Sequence, residues 1–314
     1  MPKRTLGYRG FGLTLEVPEN IGRVIRRVRR ERATPTENLV VAPPPAFEVD
    51  TRDRQRRYWS EFVANASRDA DAQTSETDAD VVSSHPWYHT IDLLDGSVTP
   101  GRFDHRRLVP HYGLPADLRG KTALDVGSGD GFWAFELERL GAEVTSLDVE
   151  TFADVDLPRA LHAIFVERPV NLSFRRGFEM AHRRRGSRIK LINEPIYDLD
   201  PDEVGTFDFV HAGDILLHLR DPALALQRLR TVTAGECLIA DCFDPALDAL
   251  GVGPGLTRYR GGWDDVTWWT PALSTLVQMV IDAGFADVEV VTTYSLADRG
   301  SAHGPWRAVL RARP

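Results

Sequence analysis

Alternating apolar and polar runs divide the chain beyond about residue 118 into short strand-like and longer helix-like segments. Helical patterns over Phe132–Leu140, Leu172–Arg185 and Ser274–Gly284 separate runs rich in β-branched residues, which is typical of an α/β fold around a mainly parallel sheet with helices on both faces. The last two runs leave no room for a crossover helix and are predicted to form an antiparallel hairpin at the sheet edge. The predicted strands are Thr122–Val126, Glu143–Asp148, Arg188–Ile192, Phe207–His211, Cys237–Cys242, Val288–Tyr294 and Arg307–Arg311.

The first 80 residues have a different pattern and are predicted to lie outside the main domain, which we place at residues 81–314. An arginine-rich helix is predicted over Ile21–Arg32, either a solvated surface helix that packs by its aliphatic stripe, or a basic arm or an element through which copies of the chain associate. A second helix is predicted over Thr51–Asn65. The stretch Ser67–Asp80 is acidic and poor in apolar residues, which predicts a flexible linker.

Composition narrows the functional classes. The formal net charge is -8, which disfavours a large nucleic-acid surface although local basic clusters exist. No apolar run approaches the roughly 20 residues that span a bilayer, so we expect a cytoplasmic protein without a membrane partner. The two cysteines, Cys237 and Cys242, have no metal-ligand spacing, and no metal is predicted there.

A glycine-dense turn follows the first predicted strand, with Gly127, Gly129 and Gly131 leading into a helical pattern. Glycine allows a sharp turn from strand to helix and a close approach of the backbone to a ligand. Asp125, two residues earlier, would repel a pyrophosphate but attract the ammonium of a methionine-type amino acid. Asp148 ends the second strand, where a carboxylate can hold both ribose hydroxyls. The pattern favours S-adenosylmethionine over a dinucleotide.

The stretch Phe207–Pro222 resembles the fourth strand and following helix of class I methyltransferases. The chain from Trp87 to Pro314 resembles the family typified by the tRNA wobble-uridine carboxymethyltransferase. The resemblance implies a Rossmann-like seven-stranded sheet, and the matching segments are His85-Pro-Trp, Arg102-Phe-Asp, the glycine loop, Asp214-Ile-Leu-Leu-His, Ala283-Gly-Phe and Arg307-Ala-Val-Leu.

The resemblance also implies cofactor contacts. It places Arg102 near the cofactor carboxylate, Ile196 and Tyr197 near adenine, and Gly213 and Leu217 beside the methionine moiety. The predicted cofactor-binding set is Arg102, Asp125, Gly127, Ser128, Gly129, Gly131, Asp148, Val149, Ile196, Tyr197, Gly213 and Leu217.

The chain departs from this family where a carboxylated donor would be recognised. The family uses a Lys, a Tyr and an Arg for the extra carboxylate of carboxy-S-adenosylmethionine; here His89, Leu217 and Arg307 stand at those positions. An anion left without partners in a partly buried site is costly, so plain methyl transfer is expected.

Methyl transfer to a hydroxyl needs alignment, exclusion of water and a base. The candidate catalytic residues are His89, His211 and Asp214, and each has a purely structural interpretation beside the catalytic one. His211, Asp214 and Asp241 could together hold a divalent metal, but their spacing is not diagnostic. His218 is interpreted as structural.

An insertion at about residues 245–271 carries several aromatic residues and is predicted to cover the substrate. An alternative interpretation makes it a lid that packs onto the core, and Trp268 and Trp269 favour that. The predicted substrate contacts are Trp87, Tyr259, Trp263 and Arg307.

Three functional hypotheses follow. The first is O-methylation of a small sugar-like or phenolic molecule. The second is a tRNA-modifying methyl or carboxymethyl transferase. This hypothesis is supported by the family resemblance, the arginine-rich arm and the basic run His182–Arg188. The third is a cofactor-binding protein without catalysis.

Overall fold

The computed structural model describes residues 3–7, 14–18, 57, 59–60, 77–151, 154–159, 161–163, 175–262, 266–298 and 301–314. The chain divides into two units, residues 1–49 and 50–314. In the first, strands β1 (Lys3–Gly7) and β2 (Thr14–Pro18) pair antiparallel, which the sequence analysis did not predict. The predicted helix Ile21–Arg32 and nearly all of Thr51–Asn65 lie outside the described residues.

The second unit is built on a seven-stranded sheet. Its strands are β3 (Thr122–Val126), β4 (Glu143–Asp148), β5 (Lys190–Asn193), β6 (Phe207–Gly213), β7 (Thr233–Phe243), β10 (Asp287–Ser295) and β11 (Trp306–Arg313). The strand order is β10-β11-β7-β6-β3-β4-β5; strands β3 to β7 run parallel to one another, while β11 is antiparallel to both β7 and β10. The seven predicted strands and the terminal antiparallel hairpin are confirmed.

Helices cover both faces of this sheet, as predicted. They are α1 (Asp78–Ser84), α2 (Phe132–Arg139), α3 (Arg175–Arg185), α4 (Pro201–Val204), α5 (Pro222–Val232), α6 (Pro245–Asp248) and α7 (Leu273–Asp282). Strand side chains alternate between the faces. Leu124 joins the core under α5 and α7, whereas Ala123 joins the core under α2 and α3.

The end of the predicted flexible linker is helical. Thr77 and Asp80 form a reciprocal cap, in which the Asp80 carboxylate accepts the Thr77 backbone N–H at 2.8 Å, and Asp78 pairs with Arg183 at 3.0 Å. Two of the acidic residues that argued for disorder, Asp78 and Asp80, therefore lie in the first turn of a helix, and Asp78 anchors it to α3.

The predicted insertion at about 245–271 contains a two-stranded hairpin of β8 (Thr257–Tyr259) and β9 (Trp269–Pro271). Trp268, just before β9, is only 6% exposed and donates its indole N–H to the Asp156 backbone oxygen at 2.6 Å. That contact agrees with the packing interpretation of Trp268. No helix within the described part of the chain is long and apolar enough to cross a membrane.

Candidate active site at the carboxyl edge of the sheet

A cavity of about 430 Å³ lies where β3, β4 and β6 end, between the glycine loop and the segment from residue 85 to 112. Open parallel sheets bind ligands at this edge. The predicted site residues that line the cavity are His89, Gly127, Gly129, Asp148, Val149, Ile196, Tyr197, Gly213 and Asp214. These nine residues, predicted from separate parts of the sequence, therefore lie around one cavity.

The three loop glycines have positive φ angles but different surroundings. A Cβ on Gly131 would lie 2.5 Å from the Phe178 ring, and one on Gly127 would lie 3.0 Å from Ile215. A Cβ on Gly129 would meet only His89, at 3.9 Å, and Gly129 lines the cavity. Gly131 is thus required by packing, while Gly129 leaves room for a ligand.

Asp148 stands at the end of β4 and holds the loop in place. Its carboxylate accepts the backbone N–H of Gly129 at 2.7 Å and of Val149 at 2.8 Å. Burial raises its pKa, although Arg175 and the two N–H donors act in the opposite direction. A carboxylate offers about four acceptor positions, so two remain for ribose hydroxyls.

Arg175, which the sequence analysis did not single out, stabilises the loop from behind. Its buried guanidinium donates to Ser128 Oγ at 2.8 Å, to Ser146 Oγ at 3.0 Å and to Asn193 Oδ1 at 3.0 Å. The predicted cofactor contact Ser128 is therefore occupied within the protein, and it does not line the cavity. A buried arginine is tolerated here because several acceptors converge on it.

Asp125 lies beneath the loop in a buried chain of polar groups. His211 Nδ1 donates to Asp125 Oδ1 at 2.6 Å, and the Tyr112 hydroxyl donates to His211 Nε2 at 2.9 Å. The second carboxylate oxygen, Oδ2, is buried and has no hydrogen-bond partner among the described residues. Asp125, predicted to contact the cofactor, is only 1% exposed and is not among the residues that line the cavity.

His211 is a poor candidate for the base predicted from sequence. It is 1% exposed, both ring nitrogens are engaged, and it is not among the residues that line the cavity. Its ring instead positions Tyr112, which does line the cavity. The sequence does not show that His211 lies between Asp125 and Tyr112, so this role could not be predicted from it.

Asp214 follows β6 with a φ of +50° and faces the cavity. Its carboxylate forms an ion pair with Arg307 and accepts the Tyr88 hydroxyl at 3.1 Å. Arg307, a predicted substrate contact, is 6% exposed and is neutralised by this pair. Both residues therefore belong to one polar group that includes Tyr88.

The metal site considered from sequence is not assembled in the structure. Asp241 accepts the Leu216 backbone N–H at 2.7 Å, and burial together with Asp214 raises the pKa of Asp241 to about 7. Within the described ranges, no group of three or more His, Cys, Asp or Glu residues could hold a metal ion.

Asp130 joins the glycine loop to the segment that covers it. Its buried carboxylate accepts the backbone N–H of Tyr88 at 2.6 Å and of His89 at 2.9 Å, and His85 Nε2 lies 3.1 Å away. The sequence analysis missed this residue because its partners lie more than 40 positions earlier in the chain.

His89 and His105 form the far wall of the cavity, with ring centroids 5.1 Å apart. Burial lowers the pKa of His89 to about 3 and that of His105 to about 4. Both imidazoles are therefore neutral at pH 7. His89 was predicted from sequence, whereas His105 was not.

Several predicted contacts lie elsewhere. Arg102 forms an exposed ion pair with Asp298, and Trp87 is packed in the core with its indole donating to the Val82 oxygen at 3.1 Å. Tyr259 is 64% exposed in β8. Leu217 is buried and does not line the cavity, and Trp263 lies outside the described residues. Of the insertion, Val266 reaches the cavity wall.

Residues 124–239 match the model of a family described as a methyltransferase domain. The ubiquinone biosynthesis O-methyltransferase of Psychrobacter arcticus is 29% identical over 182 residues, which cover 55% of this chain and 62% of the relative. The tRNA U34 carboxymethyltransferase of the same organism is 28% identical over 188 residues, covering 59% of this chain and 49% of that protein. The chain thus covers less than two thirds of the length of these curated relatives.

Among solved structures, the N-terminal domain of EvdMO1, determined in the presence of S-adenosylhomocysteine and D-fucose, is similar to this chain. The TM-score is 0.47 at 18% identity, with 86% of this chain and 99% of that chain covered.

Proposed function

We propose that this chain, which carries a class I S-adenosylmethionine-dependent methyltransferase domain, methylates a hydroxyl oxygen of a small phenolic or sugar-like molecule. The domain assignment rests on the family match over residues 124–239, the seven-stranded sheet and the glycine cradle. It makes S-adenosylmethionine the cofactor, which supplies a methyl group on an electrophilic sulfonium sulfur.

The residues of the carboxyl edge would hold this cofactor in a defined way. Asp148, which lines the cavity, would take the ribose hydroxyls. Ile196 and Tyr197 line the cavity beyond Asp148, on the side where adenine would lie. Gly129 leaves the space that a side chain would otherwise fill.

The proposal depends on the residues that form the cavity wall opposite the glycine loop. Tyr88, His89, His105 and Tyr112 present aromatic rings and imidazoles to the cavity, with Tyr294 beside them. The rings exclude water from the reacting atoms. This wall fits a compact acceptor.

The pairing of Arg307 supports transfer of an unmodified methyl group. A carboxylated donor would need a cation without a competing partner, but the Arg307 guanidinium is bound to the Asp214 carboxylate. An added carboxylate would meet Asp214 as well as Arg307, so the attraction would be largely cancelled. The name of the O-methyltransferase relatives agrees with oxygen as the acceptor atom.

The alternative, modification of tRNA, is motivated by the carboxymethyltransferase relative and by the basic run at the end of α3. In that run Arg183 pairs with Asp78, Arg184 with Asp95, and Arg185 donates to the Asp92 oxygen. These arginines therefore bind the segment 78–95, which leaves them less available to phosphates.

The test is a methyl-transfer assay with the purified full chain and methyl-labelled S-adenosylmethionine. Phenols, methyl glycosides and unmodified tRNA are offered separately, and products are identified by mass spectrometry. We expect label on the oxygen of a small molecule. Label found only on tRNA would overturn the proposal, and cofactor binding without turnover on any acceptor would favour a non-catalytic role.

The control is Asp148→Asn, which keeps the size of the side chain but removes its charge. It should lose cofactor affinity and transfer together. Unchanged affinity and transfer in this variant would contradict the assignment of the ribose site to Asp148.

A further inference from the structure

We propose that Arg175 is a positioning residue for the cofactor: its buried guanidinium fixes the glycine loop against β4 and β5, and it supplies the positive charge that balances Asp148. The inference concerns the affinity for S-adenosylmethionine, so it goes beyond the proposed function and applies to any methyl acceptor. It starts from a charged side chain that is 1% exposed and does not line the cavity, yet contacts the glycine loop and both strands.

The hydrogen bonds of Arg175 connect separate parts of the chain. Nη1 donates to Ser128 Oγ in the glycine loop and to Ser146 Oγ in β4. Nε donates to Asn193 Oδ1, and Nη2 donates to the Ile192 backbone oxygen at 2.7 Å. All three guanidinium nitrogens are therefore used. The planar array of donors suits this arrangement, and the single ammonium group of a lysine cannot reproduce it.

These contacts reach the residues next to Asp148. Gly129, whose backbone N–H donates to the Asp148 carboxylate, directly follows Ser128. Asn193 lies beside Asp148 in the parallel pair of β4 and β5. Arg175 thus holds a neighbour of Asp148 in the loop and another in the adjacent strand, while Asp148 itself lines the cavity. Loss of either contact would disturb the carboxylate that the ribose hydroxyls need.

Arg175 and Asp148 also favour each other's charged forms. Burial raises the pKa of Asp148, Arg175 is the strongest influence in the opposite direction, and Asp125 adds to the increase. Burial lowers the pKa of Arg175, and Asp148 is the described carboxylate that opposes this most. Among the described residues, the other carboxylates that act on Arg175 include Asp125, Glu179 and Glu150. Since an arginine stays protonated in proteins, removal of Arg175 should let Asp148 take up a proton at a higher pH.

A protonated Asp148 would be a weaker partner for the cofactor. An ionised carboxylate forms charge-assisted hydrogen bonds, whereas a protonated carboxyl group loses the charge and one acceptor position. Without Arg175, the affinity for the cofactor should therefore fall as the pH is lowered and recover as the pH is raised. An arginine that only supported the fold would change the affinity by the same factor at every pH.

The test is calorimetric titration of the full chain with S-adenosylhomocysteine at several values between about pH 6 and about pH 8. Arg175→Met removes the charge and the hydrogen bonds but keeps a long side chain. Its affinity should be at least about tenfold below that of the parent chain, and the loss should grow toward the acidic end. Arg175→Lys keeps the charge but not the array of donors, so its affinity should fall while its pH dependence stays that of the parent chain.

A double-mutant cycle shows whether Arg175 acts through Asp148. Asp148→Asn is introduced into the parent chain and into Arg175→Met, and the loss of affinity is compared at the acidic end of the range. The loss should be smaller in Arg175→Met, because Asp148 is partly protonated there and the substitution removes less charge. Equal losses in the two backgrounds would overturn the inference.

Arg183→Met is the matched control. This arginine lies on the same helix, but it is exposed and pairs with Asp78 instead of the glycine loop. The substitution should leave the affinity for S-adenosylhomocysteine and its pH dependence unchanged. Circular dichroism and thermal melts monitor the folding of every variant. If Arg175→Met does not fold, Arg175→Lys carries the test, and an affinity equal to that of the parent chain would overturn the inference.

Two further results with folded Arg175→Met would contradict the inference. One is an affinity equal to that of the parent chain at every pH, and the other is a loss that does not change with pH. Either result would leave the proposed function standing, because the methyl-transfer assay with phenols, glycosides and tRNA tests the acceptor separately.

Discussion

Alanine substitution at three glycines with positive φ angles separates a ligand cradle from a structural turn. The φ angles are +72° at Gly120, +52° at Gly129 and +91° at Gly131. A side chain in the left-handed region costs about 1–2 kcal/mol, so each substitution destabilises the fold by at least that amount. Any further loss of stability or of cofactor affinity depends on the atoms that the new Cβ would contact.

Gly120→Ala is the matched control, because nothing lies within 4 Å of its Cβ position. It should lower Tm by about 2–8 °C and leave cofactor affinity unchanged. Gly131→Ala places the Cβ 2.5 Å from Phe178, and overpacking adds roughly 1–3 kcal/mol to the same backbone strain. Its free energy of unfolding should therefore fall by about 2–5 kcal/mol.

Gly129→Ala tests whether the glycine loop contacts the cofactor. It should melt close to Gly120→Ala, since only His89 approaches its Cβ, at 3.9 Å. However, its affinity for S-adenosylhomocysteine should fall at least tenfold, about 1.4 kcal/mol, because the methyl group enters the cavity. Calorimetric titration and thermal melts measure the two quantities. If Gly129→Ala binds the ligand as tightly as Gly120→Ala does, the cofactor does not lie against this loop.

Three further predictions follow from single contacts. Asp148→Asn should weaken S-adenosylhomocysteine binding at least tenfold by calorimetry, since a neutral amide holds ribose hydroxyls less well; unchanged affinity would contradict the assignment. Tyr112→Phe leaves His211 Nε2 unpaired and should lower the free energy of unfolding in urea by about 1–3 kcal/mol. An unchanged free energy of unfolding would mean that this buried hydrogen bond does not stabilise the fold. Burial lowers the pKa of His105 in the folded chain from 6.5 to about 4, so the unfolded chain binds more protons between these two pH values. Acidification through this range should therefore lower the free energy of unfolding, and His105 should contribute about 1.4 kcal/mol per pH unit to that loss. In His105→Phe that loss between pH 6.5 and 4 should be smaller than in the parent chain, and equal slopes would contradict the lowered pKa.

The sheet was predictable from sequence because its signals are local. Strands β3 and β4 match their predicted bounds at both ends, since each is a short run that contains β-branched and aliphatic residues and lies between turns. Asp148 was found by the same means, as its distance along the chain from the glycine loop and its place at a strand end carry the information.

The contacts between distant segments around the cavity were not predictable in this way. Asp130 contacts Tyr88 and His89 across more than 40 residues, and Arg175 reaches Ser128 across 47. Nothing in the sequence around His105 distinguishes it from exposed His111 six residues later. The contacts of Asp130, Arg175 and His105 depend on which distant segments pack together. Hydrophobic periodicity does not carry that information.

Two residues predicted to contact the cofactor have partners within the protein. Arg102, which the family resemblance places near the cofactor carboxylate, pairs with Asp298 at the surface, and Ser128 is bound by Arg175 behind the loop. In each case a nearer partner within the protein satisfies the side chain. A residue type at a matching position therefore predicts a ligand contact only where no such partner competes.

The central claim is that the cradle at the carboxyl edge of the sheet binds a sulfonium nucleoside. Its most direct test is calorimetric titration of the purified full chain with S-adenosylhomocysteine and, in parallel, with NAD⁺. We predict one S-adenosylhomocysteine bound per chain and no heat of binding from NAD⁺. Saturable binding of NAD⁺, with none of S-adenosylhomocysteine, would contradict the account.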